Sequence, residues 1–99
     1  MAKFHLTKKA VADLSDIWEY TFDTWSEKQA DKYYYMLLDM FAELARKPAA
    51  GKKYDEVMAG LLGHTAGRHL IFYRIVSAKE IEILRILHDR MDLRRHMRD

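Results

Sequence analysis

Cysteine is absent from the 99 residues, which removes disulfides, thiolate metal sites and cysteine nucleophiles and fits a reducing cytoplasm. Proline occurs once, at Pro48, and glycine four times, too few for a linker or a low-complexity segment. No apolar run approaches the roughly 18 residues that a membrane span needs. Residues 1–7 lack the apolar centre of a secretory signal, so no membrane partner is expected. A large charge of one sign is missing as well: 17 Lys and Arg against 15 Asp and Glu leave a net charge of +2. Residues 1–84 carry twelve of each sign, and the surplus sits in the tail, where five arginines from Arg85 onward meet Asp89, Asp92 and Asp99. This is a mild basic patch, far weaker than a dedicated DNA-binding arm.

What remains is a sequence with 49% hydrophobic and 32% charged residues, the composition of one globular domain, 1–99, with one modest core. Its densest signal is the C-terminal third. His69 to Val76 and Ile81 to His88 are rich in β-branched and aromatic residues and flank the polar Ser77-Ala78-Lys79-Glu80, the pattern of an antiparallel hairpin. Neither run alternates cleanly, so both faces of this hairpin are expected to be covered. Arg74 and Arg85 lie inside the runs, and a charge there must be paired, snorkelling or facing an open site.

Upstream, Lys3 to Leu6 reads as a strand that Thr7 turns into a helix from Lys8 to about Phe22, with Ala10, Val11, Leu14, Ile17 and Trp18 recurring at helical spacing. Asp23-Thr24-Trp25 breaks the pattern. Ser26 followed by Gln29 is a capping-box signature and opens a second helix to about Arg46, striped by Ala30, Tyr33, Tyr34, Leu37, Leu38, Phe41, Leu44 and Ala45. Residues 47–60 read as an irregular, tolerated connection. Leu61 to His64 form a short strand, and Thr65-Ala66-Gly67 turn into the central one. The fold class is α+β, in the order β-α-α-β-β-β, with an antiparallel two-helix hairpin packed on a small antiparallel sheet. The capping pattern at Asp89-Arg90-Met91-Asp92 leaves room for a short C-terminal helix through Met97.

Four sets of residues bear on function. His88, Asp92 and His96 stand at i, i+4 and i+8, which on one helix would offer a metal three ligands. His88 belongs by pattern to a strand, so no metal is expected. Arg68, Arg74, Arg85 and His88 are the groups a metal-free nuclease would use, but the arginines are read first as partners of carboxylates such as Glu82. Of Tyr33, Tyr34 and Tyr35, the first two fall on the core stripe and only Tyr35 points outward. Trp18, Trp25, Met36 and Met40 border the stripes and suit either a groove for another protein's helix or the ordinary surplus of apolar surface in a small domain.

The strings Ala12-Asp13-Leu14-x-x-Ile17-x-x-Tyr20-Thr21, Gln29-Ala30-x-x-Tyr33, Ile71-Phe72-Tyr73-Arg74 and Arg85-Ile86-Leu87-His88-x-x-Met91-Asp92, taken in order over about residues 4–92, resemble the ParE toxin family. The resemblance implies two N-terminal helices packed on an antiparallel sheet, in a superfamily shared with the RelE ribosome-dependent mRNA endonucleases. It further implies a toxin of a type II toxin–antitoxin pair that poisons DNA gyrase and has no enzymatic activity or cofactor of its own. A ParD-like ribbon-helix-helix antitoxin would neutralise it, and operator DNA would be met only through that antitoxin. In that setting Arg74, Arg85, His88 and the tail arginines Arg90, Arg94, Arg95 and Arg98 are the candidates for contact with gyrase or its DNA. Leu14, Trp18, Trp25, Met36 and Met40, with an open sheet edge, are the candidates for antitoxin binding. The sequence departs from the RelE pattern at Leu70, where a nuclease of that type places a strand arginine, and no tyrosine follows Tyr73. Loss of that guanidinium would cost about 2–4 kcal/mol of transition-state stabilisation. A RelE-type endonuclease dependent on His88, and a homologue that binds antitoxin without toxicity, are the alternatives.

Overall fold

A four-residue strand leads the chain into the fold, and one threonine side chain ends it. The computed structural model describes residues 2–89. In it β1 (Lys3–Leu6) passes through Thr7 into α1 (Lys8–Thr24). The Thr7 hydroxyl accepts from Ala10 N at 3.1 Å and donates to the Leu84 carbonyl at 2.9 Å. One side chain thus satisfies an orphan helix N–H and ties the helix start to the sheet. α1 runs two residues past the expected Phe22, so that only Trp25 and Ser26 separate it from α2 (Glu27–Arg46). The Ser26 hydroxyl accepts from Gln29 N at 3.1 Å, as the capping signature requires. So short a turn forces the helices antiparallel.

After α2 come a single 3-10 turn, Pro48–Ala50, and four strands: β2 (Lys52–Lys53), β3 (Leu62–Ala66), β4 (His69–Ser77) and β5 (Glu80–His88). The sheet order is β1-β5-β4-β3-β2. The β4–β5 hairpin lies at its centre, as the composition predicts. Three features differ from the sequence reading. β1 joins β5 in parallel, with Phe4 opposite Ile81 and Leu6 opposite Ile83, while every other pair is antiparallel. The stretch 47–60 supplies a fifth strand, the two residues of β2, where a plain connection was expected. The β3–β4 turn also falls later, at Gly67-Arg68, because β3 extends to Ala66. Gly67 takes φ 59° there, the left-handed backbone that a two-residue hairpin turn demands. The C-terminal helix proposed through Met97 lies outside the described residues.

Both faces of the sheet are covered, by different means. Ile71, Tyr73, Ile81, Ile83 and Ile86 meet Ala10, Leu14, Leu37, Phe41 and Leu44 of the helices. On the opposite face Phe72 and Leu87 are buried with Leu61, under Tyr54 and Val57. The irregular stretch is therefore a cover for the second face, not a spacer. Tyr73, fully buried, anchors its start: the hydroxyl donates to the Pro48 carbonyl at 2.7 Å and accepts from Gly51 N at 2.9 Å. The broken alternation of Ile81 to His88 has a second cause. Phe72 pairs with Arg85 and Tyr73 with Ile83, leaving Leu84 as the extra residue of a β-bulge. Odd positions (Ile81, Ile83) face the helices before the bulge and an even one (Ile86) after it.

Candidate functional site

The bulge re-aims Arg85 toward α1, where Asp13 waits for it. The Asp13 carboxylate accepts from Arg85 Nε at 2.8 Å and Nη2 at 2.9 Å, and from Ile86 N at 3.0 Å. The two side chains are only 16% and 13% exposed, so this is a bidentate, partly desolvated pair. Arg74 lies directly across from Glu82 and donates from Nε at 2.7 Å; that bond holds the Glu82 carboxyl below the usual range. Both strand arginines are thus engaged by carboxylates, the reading preferred from sequence. Arg74 and His88 sit toward opposite ends of the hairpin. Arg74 stands five positions along β4 from His69, the partner of His88, about 17 Å of strand. The candidate target-contact residues do not converge on one point, and Arg90, Arg94, Arg95 and Arg98 lie outside the described residues.

His88 has company that sequence reasoning missed. Opposite it stands His69, the ring centroids 5.4 Å apart, and the Tyr33 hydroxyl lies 2.7 Å from His69 Nδ1. That hydroxyl also accepts from Arg68 N at 3.0 Å and lies 3.3 Å from the Ala66 carbonyl. Tyr33 of α2 therefore locks the β3–β4 turn as well as lining the core. Burial, and then the neighbouring His88, lower the His69 pKa, while Asp89 and Asp13 oppose this more weakly. The shift favours the neutral imidazole, whose Nδ1 stands within hydrogen-bond distance of the Tyr33 hydroxyl. His88 Nδ1 is 3.0 Å from Asp89 Oδ1. Two imidazoles, a phenol and a carboxylate at one corner of the sheet are groups able to accept and relay a proton. The only sequence sign of this corner was His69 at the head of a strand. Among the described residues no group of three His, Asp or Glu is placed to hold a metal, and Asp92 and His96 lie outside them.

The residues proposed for antitoxin binding separate into three environments. Leu14 is a core residue, 8% exposed, and offers a partner little surface; this corrects its assignment to a docking face. Its position on the stripe, shared by every core leucine of an amphipathic helix, could not distinguish the two. Met36 and Met40 line a shallow hollow along α2 with Lys32, Tyr35, Asp39 and Glu43. Trp18 is elsewhere: its Nε1 donates to Asp31 Oδ1 at 3.0 Å. Asp31 and Met40 are nine residues apart, two and a half helical turns, and so lie on opposite sides of α2. Trp25, in the turn between the helices, is 71% exposed.

A two-helix hairpin over one face of a five-stranded sheet, its strand arginines tied to carboxylates, defines a small single-sheet α+β protein. Its sequence matches, over residues 4–93, the family described as ParE toxin of type II toxin–antitoxin system, parDE. Toxin ParE1 of Mycobacterium tuberculosis H37Rv is 34% identical over 96 residues, 97% of this chain and 98% of that protein. Toxin ParE1 of Caulobacter vibrioides is 34% identical over 97 residues, 98% and 99% of the two chains. A chain of the chromosomal ParDE system from P. aeruginosa shares the fold, with a TM-score of 0.74 at 24% identity over 89% of this chain and 96% of that one. The chain belongs to the ParE family of toxins of type II toxin–antitoxin systems.

Proposed function

We propose that this toxin acts in the cytoplasm on DNA gyrase, by binding rather than by cutting nucleic acid, and that a ParD-like ribbon-helix-helix antitoxin neutralises it. Family membership supports the toxin and its antitoxin partner. The non-enzymatic reading rests on one observation: the Arg85 fork is occupied by Asp13, and the strand position where a RelE-type nuclease has arginine is Leu70. Among the described residues the strand guanidinium groups of Arg74 and Arg85 are each turned to a carboxylate, not to a shared point at which phosphorane charge would be stabilised. The antitoxin is assigned to the Met36–Met40 hollow of α2, where half-buried thioethers adapt to an incoming apolar side chain. Target contact is assigned to His88 and to the tail arginines Arg90, Arg94, Arg95 and Arg98. Operator DNA is reached only through the antitoxin.

The test is to express the chain alone and follow DNA breaks and transcripts together. Gyrase-dependent DNA breaks with intact messages are expected, and Arg94→Ala/Arg95→Ala/Arg98→Ala should lose the breaks while still binding antitoxin. Met36→Ser/Met40→Ser should stay toxic and escape neutralisation. Cleavage of message in a translating extract, with supercoiling untouched, would overturn the gyrase reading. It would favour the RelE-type alternative, for which the His69–His88 pair is the specific observation; His69→Gln/His88→Gln should then stop the cleavage. Neither breaks nor message loss would identify a homologue that only binds antitoxin.

A further inference from the structure

The chain carries five histidines, His5, His64, His69, His88 and His96, and the fold sets two of them directly opposite each other. His69 opens β4, His88 closes β5, and the two are register partners across the hairpin. Side chains so paired leave the sheet on the same face, their Cβ atoms about 5 Å apart. The ring centroids stand 5.4 Å apart, edge to face. Two imidazoles that share one tetrahedral ion through Nε2, at Zn–N distances of about 2.0–2.1 Å, hold their ring centres roughly 5 Å apart. The pair is therefore spaced as chelating histidines are. Both residues are half-exposed, so an ion reaches them from solvent.

Each ring is also held from behind, at Nδ1. His88 Nδ1 lies 3.0 Å from Asp89 Oδ1. A carboxylate only accepts, so the neutral imidazole keeps its proton on Nδ1 and its lone pair on Nε2. His69 Nδ1 lies 2.7 Å from the Tyr33 hydroxyl. That oxygen can accept from Nδ1–H and from Arg68 N while its own proton goes to the Ala66 carbonyl at 3.3 Å, which again leaves the lone pair on Nε2. A polar partner on the nitrogen away from the ion is what orients metal-binding histidines.

The donor atoms select the ion. Imidazole nitrogen suits zinc, nickel and copper, whereas magnesium and calcium take oxygen. Cysteine, the competing soft ligand, is absent. Charge near the corner is balanced among the described residues, with Asp89 and Asp13 against Arg68 and Arg85. No third His, Asp or Glu is placed to join the pair among those residues, so water completes the coordination, as in an open site.

We propose that His69 and His88 form a binding site for a divalent transition-metal ion, zinc, nickel or copper. The ion joins the two Nε2 atoms, and Asp89 and Tyr33 orient the rings. It staples β4 to β5 at this end of the hairpin and withdraws both imidazoles from acid–base chemistry.

The probes are nickel(II) and zinc(II), titrated by calorimetry into the full chain prepared without a polyhistidine tag, with magnesium(II) as the contrast. Nickel and zinc should each saturate at one ion per chain and raise the melting temperature; magnesium should do neither. Asp89→Asn, at an exposed position, should weaken binding about tenfold with the metal-free melting curve unchanged. His69→Gln and His88→Gln should each weaken it further than that. His88 can be replaced without touching the Tyr33 contact, so its variant tests the site apart from the turn that Tyr33 locks. His5→Gln/His64→Gln should bind as the parent chain does. Absence of saturable binding, or undiminished binding in His69→Gln or His88→Gln, overturns the proposal. So does loss of binding in His96→Gln with His69→Gln unaffected, which would assign the ion to the His88, Asp92 and His96 set. Undiminished binding in Asp89→Asn overturns the orienting role of that carboxylate.

Discussion

Asp13 does more for this structure than its place on a helix edge implies. Its carboxylate closes the Arg85 fork and caps Ile86 N beside the bulge, so α1, the bulge and the register of β5 meet at one residue. Removing the carboxylate of this partly desolvated pair takes away both bonds to Arg85 and the one from Ile86 N, at a cost of about 3 kcal/mol. Asp13→Ala should lower the urea-unfolding free energy by that order, whereas Glu82→Ala, breaking the more exposed bond to Arg74, should cost under about 1 kcal/mol. Similar losses from the two variants would contradict this account. His69 is the other decisive residue. Burial lowers its pKa in the folded state below the ordinary 6.5, so the unfolded chain takes up the proton first as acid is added. The stability it contributes is present in full above about pH 6.5 and declines as the pH falls toward the lower folded-state value. Urea midpoints measured from pH 8 to pH 5 should therefore fall less steeply in His69→Gln than in the parent chain. Parallel slopes would mean that His69 is not the group responsible.

At the scale of elements, the stretch 54–61 and β3 explain each other. Gly63, buried in β3 opposite Phe72, has no side chain because Tyr54 lies over it: a Cβ there would come 2.7 Å from the Tyr54 ring and 3.1 Å from Phe72. Gly63→Ala should destabilise by about 1–3 kcal/mol through overpacking, and by clearly less when Tyr54 is already Ala. A cost that is the same in both backgrounds, measured as a double-mutant cycle in urea, would show that the ring is not what Gly63 accommodates. The helices, by contrast, were legible in advance: caps at Thr7 and Ser26 and two apolar stripes are local signals, and the elements follow them to within two residues. Strand β2 was not, since two lysines in a Gly- and Pro-containing stretch carry no strand signal. Only the neighbouring edge of β3 makes them one.

For the molecule as a whole, order and composition were enough to expect a helical hairpin on a sheet and, through the resemblance, the toxin family. Residues that repeat at 2 or 3.6 declare their faces, and hydrogen-bonding caps act within three residues, so the sequence by itself determined every element but β2, their order and most of the core. What it could not determine was which polar groups meet. Asp13 and Arg85 lie 72 residues apart, and Tyr33 reaches His69 across 36. Whether Leu14 is core or surface, and whether Trp18 shares a face with Met40, depends on how α1 and α2 are rotated against the sheet. Those facts belong to the tertiary structure alone, because long-range pairing is set by the packing of whole elements and leaves no periodicity in the chain.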